Sequence, residues 1–117
     1  MEIFLYSSCT SCRKAEEVLR ASGTPYHRRD FFKERFTVPE LRALLERAEL
    51  TASDALSTRS KAYAAFGLAE KDLSDDEILE LMVIEPTLLR RPLVLGNGST
   101  VVGYNTSGIR ALIEQSR

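Results

Sequence analysis

The sequence contains no tryptophan, one histidine, four prolines and two cysteines, and it has no apolar run long enough to cross a bilayer. Each shortage excludes something. A chain of 117 residues can bury a core without metal or disulfide staples, so folding alone does not require the cysteines. Sixteen Lys and Arg against seventeen Asp and Glu leave a net charge of −1. That balance excludes the broad basic field expected of a protein whose main partner is nucleic acid or an anionic membrane, so any anion site has to be local. The chain opens with MEIFLY, without a basic segment leading into a long apolar one, and the expected location is cytoplasmic. In a reducing compartment a cysteine pair is expected in catalysis, redox sensing or metal binding rather than in a structural bridge.

Both cysteines fall in one short stretch, YSSCTSCRKAEEVL, from Tyr6 to Leu19. Ile3 to Tyr6 has the pattern of a short buried strand that ends at Ser7 and Ser8. Ala15, Val18, Leu19 and Ser22 then recur on one face of a helix, which Gly23 and Pro25 stop. PYHRRDFF predicts a second strand, parallel to the first across the helix.

The middle of the chain is helical in pattern. Capping-box spacing appears in TVPE at Thr37 and in SDDE at Ser74, each ahead of an apolar stripe. Between them ALSTRSKAYAAFGL predicts one or two short helices ending at Gly67. After Pro86, LVLGNGSTVVGY reads as two strands joined at GNGS, and Ile109, Leu112 and Ile113 mark a terminal helix. The expected architecture is a single α/β domain spanning 1–117: a thioredoxin-like fold with a mixed four-stranded sheet and an inserted helical subdomain at about 37–85.

A cysteine at a strand-to-helix turn lies near the unpaired N–H groups and the positive end of the helix dipole, which favour thiolate over thiol. Cys9 has that place. Cys12, one turn inside the helix, is more shielded and is positioned to attack a sulfur adduct on Cys9, so the natural roles are nucleophile and resolving thiol. Arg13 adds positive charge beside the pair. A zinc half-site is the competing reading, but its ligands would be Cys9, Cys12 and His27 with no fourth at a recognisable spacing. Arg59 in STRSK and Arg91 in LLRRP are candidate oxyanion forks, and the Arg91-Pro92 step distinguishes Arg91 from Arg90. Taken singly, each arginine is better read as a solvated charge.

CTSCRKA, STRSK, LLRRP and VGYN, in this order and spacing, resemble the arsenate reductase/Spx family over essentially the whole chain. The resemblance implies a thioredoxin-like fold with a helical insertion and, by analogy with such folds, a cis Arg91-Pro92 bond. In the arsenate reductase branch the nucleophilic cysteine falls on Cys9, and two oxyanion-binding arginines fall on Arg59 and Arg91. A third falls near Tyr104, and Cys12 replaces a serine, which points to an internal disulfide. In the Spx branch the CxxC is an oxidation switch on a regulator that binds the C-terminal domain of the RNA polymerase α subunit. The glycine which that branch uses in the contact falls near Thr51 or Ala52. The first expectation from the resemblance is reduction of arsenate to arsenite, with no bound cofactor and with glutathione, a glutaredoxin or a thioredoxin as electron donor. The alternative is the Spx-like regulator.

Overall fold

The computed structural model describes residues 1–116. The chain forms two compact units: one comprises Met1–Glu34 and the stretch from Arg91 onward, and the other comprises Arg35–Arg90.

The first unit is built on a four-stranded sheet. β1 (Glu2–Leu5) leads through the cysteine loop into α1 (Thr10–Ser22), and β2 (His27–Asp30) returns parallel to β1. β3 (Leu93–Gly96) and β4 (Ser99–Val102) form an antiparallel hairpin on the other side of β1, giving the order β2-β1-β3-β4. The hairpin turn is Asn97-Gly98, with φ of 51° and 76°. Two successive positive φ angles are what a two-residue turn of the right twist demands, and Asn-Gly meets that demand with little strain. α6 is the terminal helix, Thr106–Gln115.

Period-2 and period-3.6 patterns converge on one core. Ile3 and Leu5 of β1, Val94 and Val101 of the hairpin, Cys12, Ala15 and Leu19 of α1, and Ile109, Leu112 and Ile113 of α6 form a single buried cluster. Each fully buried aliphatic side chain there contributes about 1.5–3 kcal/mol of transfer free energy. This packing seats the first turn of α1 on the sheet, and the cysteine loop with it. Gly23 ends α1 in the left-handed region at φ 72°, as the Gly-Thr-Pro run implies.

The second strand is shorter than the pattern PYHRRDFF suggests. It stops at Asp30, and residues 31–34 form a turn. The Asp30 carboxylate accepts from the N–H groups of Phe32 and Lys33, and its carbonyl from those of Lys33 and Glu34, so the backbone bends there. The Arg91-Pro92 bond is cis.

The second unit is helical: α2 (Val38–Ala48), α3 (Ala52–Ala55), α4 (Lys61–Ala65) and α5 (Asp75–Ile84), with short 3₁₀ turns at Leu68–Glu70 and Pro86–Leu88. Reciprocal capping boxes start α2 at Thr37/Glu40 and α5 at Ser74/Glu77, and a third, Thr51/Asp54, starts α3. Leu41, Leu44 and Leu45 of α2 and Ile78, Leu79 and Met82 of α5 supply buried apolar side chains.

Candidate functional site: a paired thiol at a helix start

Cys9 is the N-cap of α1, with extended backbone at φ −84° and ψ 123°. A tight turn delivers it there, its N–H donating to the Tyr6 carbonyl at 2.9 Å, and its own carbonyl accepts from Arg13 N–H at 3.0 Å to begin the helix. The sulfur sits where a serine or aspartate oxygen would cap the helix. It makes no capping hydrogen bond of ordinary geometry, yet it lies in the field of the free N–H groups.

Partial burial alone pushes the Cys9 thiol up. The Ser11 hydroxyl at 3.2 Å, the Cys12 N–H, the Cys12 thiol acting as a donor and the charge of Arg91 together outweigh it, and the pKa falls to about 7. The fold therefore favours the Cys9 thiolate over the thiol, relative to an ordinary cysteine. Cys12 behaves in the opposite way. It is wholly buried, and burial first, then the neighbouring Cys9, pushes its thiol up to about 12. Both thiols are free in this structure.

Arg91 is drawn into this site, whereas Arg90 is not. The rings of Tyr6 and Phe32 are stacked, with centroids 3.8 Å apart and planes at 19°, and the Arg91 guanidinium carbon lies 5.9 Å from the first centroid and 5.4 Å from the second. Two aromatic faces within about 6 Å hold the cation beside the cysteines, where it lowers the pKa of both thiols. Arg90 is exposed and turned into the helical unit, its backbone N–H on the Ala55 carbonyl at 2.9 Å.

The remaining expected residues are distributed more widely. Arg13 is exposed on the first turn of α1. Tyr104 is 48% exposed and lines a shallow groove with Lys14 and Val18 of α1 and Arg110 and Ile113 of α6, a groove whose lining does not include Cys9. Arg59 belongs to the helical unit and is exposed in the turn ahead of α4. His27 pairs with Glu2 in the parallel ladder, at the opposite end of β1 from the cysteine loop, and no group of three His, Cys, Asp or Glu residues gathers as a metal site among the described residues.

The ArsC family model matches residues 4–112. The chain belongs to the ArsC family. Among its relatives, the global transcriptional regulator Spx of Staphylococcus aureus is 36% identical over 111 residues, covering 95% of this chain and 85% of that protein. The regulatory protein MgsR of Bacillus subtilis is 35% identical over 105 residues, covering 90% and 83%. The solved arsenate reductase of Vibrio cholerae superposes with a TM-score of 0.81 at 23% identity, over 96% of this chain and 98% of that one, and shows the shared fold.

Four residues around this ArsC-family site escape a linear reading. Tyr6 and Phe32 look like strand residues, and only the parallel pairing of β1 with β2 brings their rings together. Asp30 and Glu16 are charged yet buried, at 5% and 7% exposure. Glu16 lies on the buried face of α1, where Arg28 Nε donates to it at 2.8 Å and the Tyr26 hydroxyl at 3.0 Å. The sequence signal for Glu16 is its helical spacing with Cys12 and Leu19 on the buried face.

Proposed function

We propose that this ArsC-family protein is a thiol redox switch of the Spx and MgsR kind, in which Cys9 meets the oxidant, Cys12 closes a disulfide, and the change governs a contact with the transcription machinery. The observation that carries the reading is the division of labour between the two thiols: one partly exposed and acidified to about 7, the other wholly buried and near 12. A single nucleophile served by external thiols has no use for a second cysteine held at its sulfur. The relatives at 35–36% identity, which are named as regulators, support the same reading.

The chemistry follows from the two environments. The Cys9 thiolate attacks a peroxide, leaving a sulfenic acid and releasing hydroxide or alkoxide. Oxidation removes the charge on Cys9, and with it the like-charge repulsion that helps keep Cys12 protonated. The Cys12 sulfur then attacks the sulfenic sulfur, its proton leaves with the hydroxide as water, and the Cys9–Cys12 disulfide forms. A dithiol, glutathione or a thioredoxin-type protein returns the pair to the reduced state by exchange. The partner implied by the Spx resemblance is the C-terminal domain of the RNA polymerase α subunit.

A second reading, arsenate reduction, is favoured by one specific feature, the Arg91 guanidinium beside an acidified thiol at a helix start. In that reading Arg91 helps hold the oxyanion, and glutathione or a redoxin supplies the electrons. Two assays on the same protein separate the readings. The switch predicts that the polymerase α domain binds reduced and peroxide-treated protein with different affinity, and that arsenate causes no consumption of thiol. Arsenate-dependent thiol consumption with equal or absent polymerase binding in both redox states overturns it.

A further inference from the structure

Asp30 is a carboxylate placed where water scarcely reaches it, at the end of β2 and two residues beyond the exposed part of the strand. Its two oxygens are turned to two different segments. Oδ1 accepts from the N–H groups of Phe32 at 2.9 Å and Lys33 at 3.3 Å. An aspartate that closes a local turn makes these bonds routinely. Oδ2 does something a turn does not need: it accepts from both the backbone N–H of Ser7, at 3.1 Å, and the Ser7 hydroxyl, twenty-three residues earlier in the chain. Ser7 is two residues before Cys9, in the turn closed by Cys9 N–H on the Tyr6 carbonyl.

We infer that Asp30 is a positioning residue for the Cys9 site: its carboxylate ties the β1–α1 loop to the end of β2, and so keeps both the cysteine turn and the aromatic seat of Arg91 in place. The two segments it joins carry the two rings of that seat. Tyr6 precedes Ser7, Phe32 follows Asp30 by two residues, and their stacked rings underlie the guanidinium. One side chain thus sets the relative height of both rings and the entry of the chain into α1. The inference rests on the reading of Cys9 as the reactive thiol and deepens it.

The charges around the carboxylate define what else it could do. The four groups that donate to it are neutral, and the network continues to a cation at Arg28, whose Nη2 lies 3.4 Å from the Ser7 hydroxyl while its Nε is engaged by Glu16. A negative charge acting on Cys9 only through space raises the thiol pKa, so removing it lowers that pKa. A positioning residue acts with the opposite sign. Without the tie, the turn loosens, the Ser11, Cys12 and Arg91 contacts that favour the thiolate weaken, and the thiol moves back toward the ordinary value near 8.5.

The test is the pH dependence of Cys9 alkylation, followed by mass mapping and by thiolate absorbance in the ultraviolet, in the full chain and in Asp30→Asn, Ser7→Ala and Ser7→Thr. Ser7→Ala keeps every charge and removes one hydroxyl from a partly exposed turn, so it remains decisive if Asp30→Asn does not fold. We expect the alkylation midpoint to rise by about half a unit or more in Asp30→Asn and Ser7→Ala, toward the ordinary thiol range, and to be restored in Ser7→Thr. Melting temperature alone does not distinguish roles, because any buried hydrogen bond lowers it. A midpoint that falls or stays unchanged in Asp30→Asn and Ser7→Ala, with the wild-type midpoint still near neutrality, overturns the positioning role. A wild-type midpoint that is itself ordinary overturns instead the reading of Cys9 on which it rests.

Discussion

Cys9 and Cys12 act on each other's proton in opposite senses: the Cys12 thiol serves Cys9 as a donor and lowers its pKa, and Cys9 raises that of Cys12. A hydrogen bond of this kind draws the two titrations apart. It also explains why spacing by one helical turn suits the chemistry. Cys9 occupies the N-cap, where charge is favoured, and Cys12 occupies the first buried position of α1, where it is not.

The first prediction is a separation of reactivities. Cys9 should be alkylated with a midpoint near pH 7, and Cys12 should stay unmodified until the protein unfolds in alkali. Pulsed alkylation across pH 5 to 10 with peptide mapping checks this. Replacing Cys9 by Ser should remove essentially all fast labelling, and replacing Cys12 by Ala should raise the Cys9 midpoint by removing a donor.

Arg91 gives the second prediction. It is the last of the influences that lower the Cys9 pKa, so Arg91→Ala should raise the alkylation midpoint by less than about one unit. Arg91→Lys should recover only part of the effect, because a lysine ammonium does not reproduce a guanidinium within 6 Å of two stacked rings. Arg90→Ala, in the helical unit, should leave the midpoint unchanged.

A third prediction concerns stability against pH. The folded Cys12 thiol has a raised pKa, so the fold favours its neutral form. That contribution is whole below the unfolded value near 8.5 and is lost as pH rises toward 12. Cys9 has a depressed pKa, so its contribution is present above the unfolded value and lost as pH falls through about 7. Denaturant midpoints in wild type should therefore decline between pH 9 and 11. Cys12→Ala should lose part of that decline, while starting from a lower stability because a core contact is gone.

Glu16 supports the fourth prediction. Its carboxylate is buried with Arg28 at 2.8 Å and Tyr26 at 3.0 Å, and Arg28 remains 44% exposed. Glu16→Gln keeps the shape and removes the charge, and should cost about 1–2 kcal/mol in chemical denaturation, less than for a fully buried pair because Arg28 can turn to water.

Much of the fold was legible because its signals are local. Asn97-Gly98 between two β-rich runs, the Thr37/Glu40 and Ser74/Glu77 boxes, and Gly23 after α1 each act within four residues. The Cys9 loop was legible for the same reason, as a strand end, two serines and a helix start. The Thr51/Asp54 box was equally local but is followed by no apolar stripe, since α3 is only four residues long. Asp30 and the Tyr6–Phe32 stack were not legible, because they depend on the β1–β2 register, which no short window contains. Reading PYHRRDFF as one strand followed propensity at Phe31 and Phe32, and the Asp30 carboxylate overrode it. Tyr104 illustrates the same limit: its placement beside Lys14 and Arg110 comes from the packing of α6 on α1, not from the VGYN motif.

The most direct test of the switch is a redox titration of the reduced protein with a limiting peroxide pulse, quenched by alkylation and read by intact mass and peptide mapping. A sulfenic acid on Cys9 should appear first and give way to a single Cys9–Cys12 disulfide reversed by dithiol, and Cys12→Ser should stop at the sulfenic stage. Overoxidation of Cys9 with Cys12 remaining a free thiol throughout would contradict the switch.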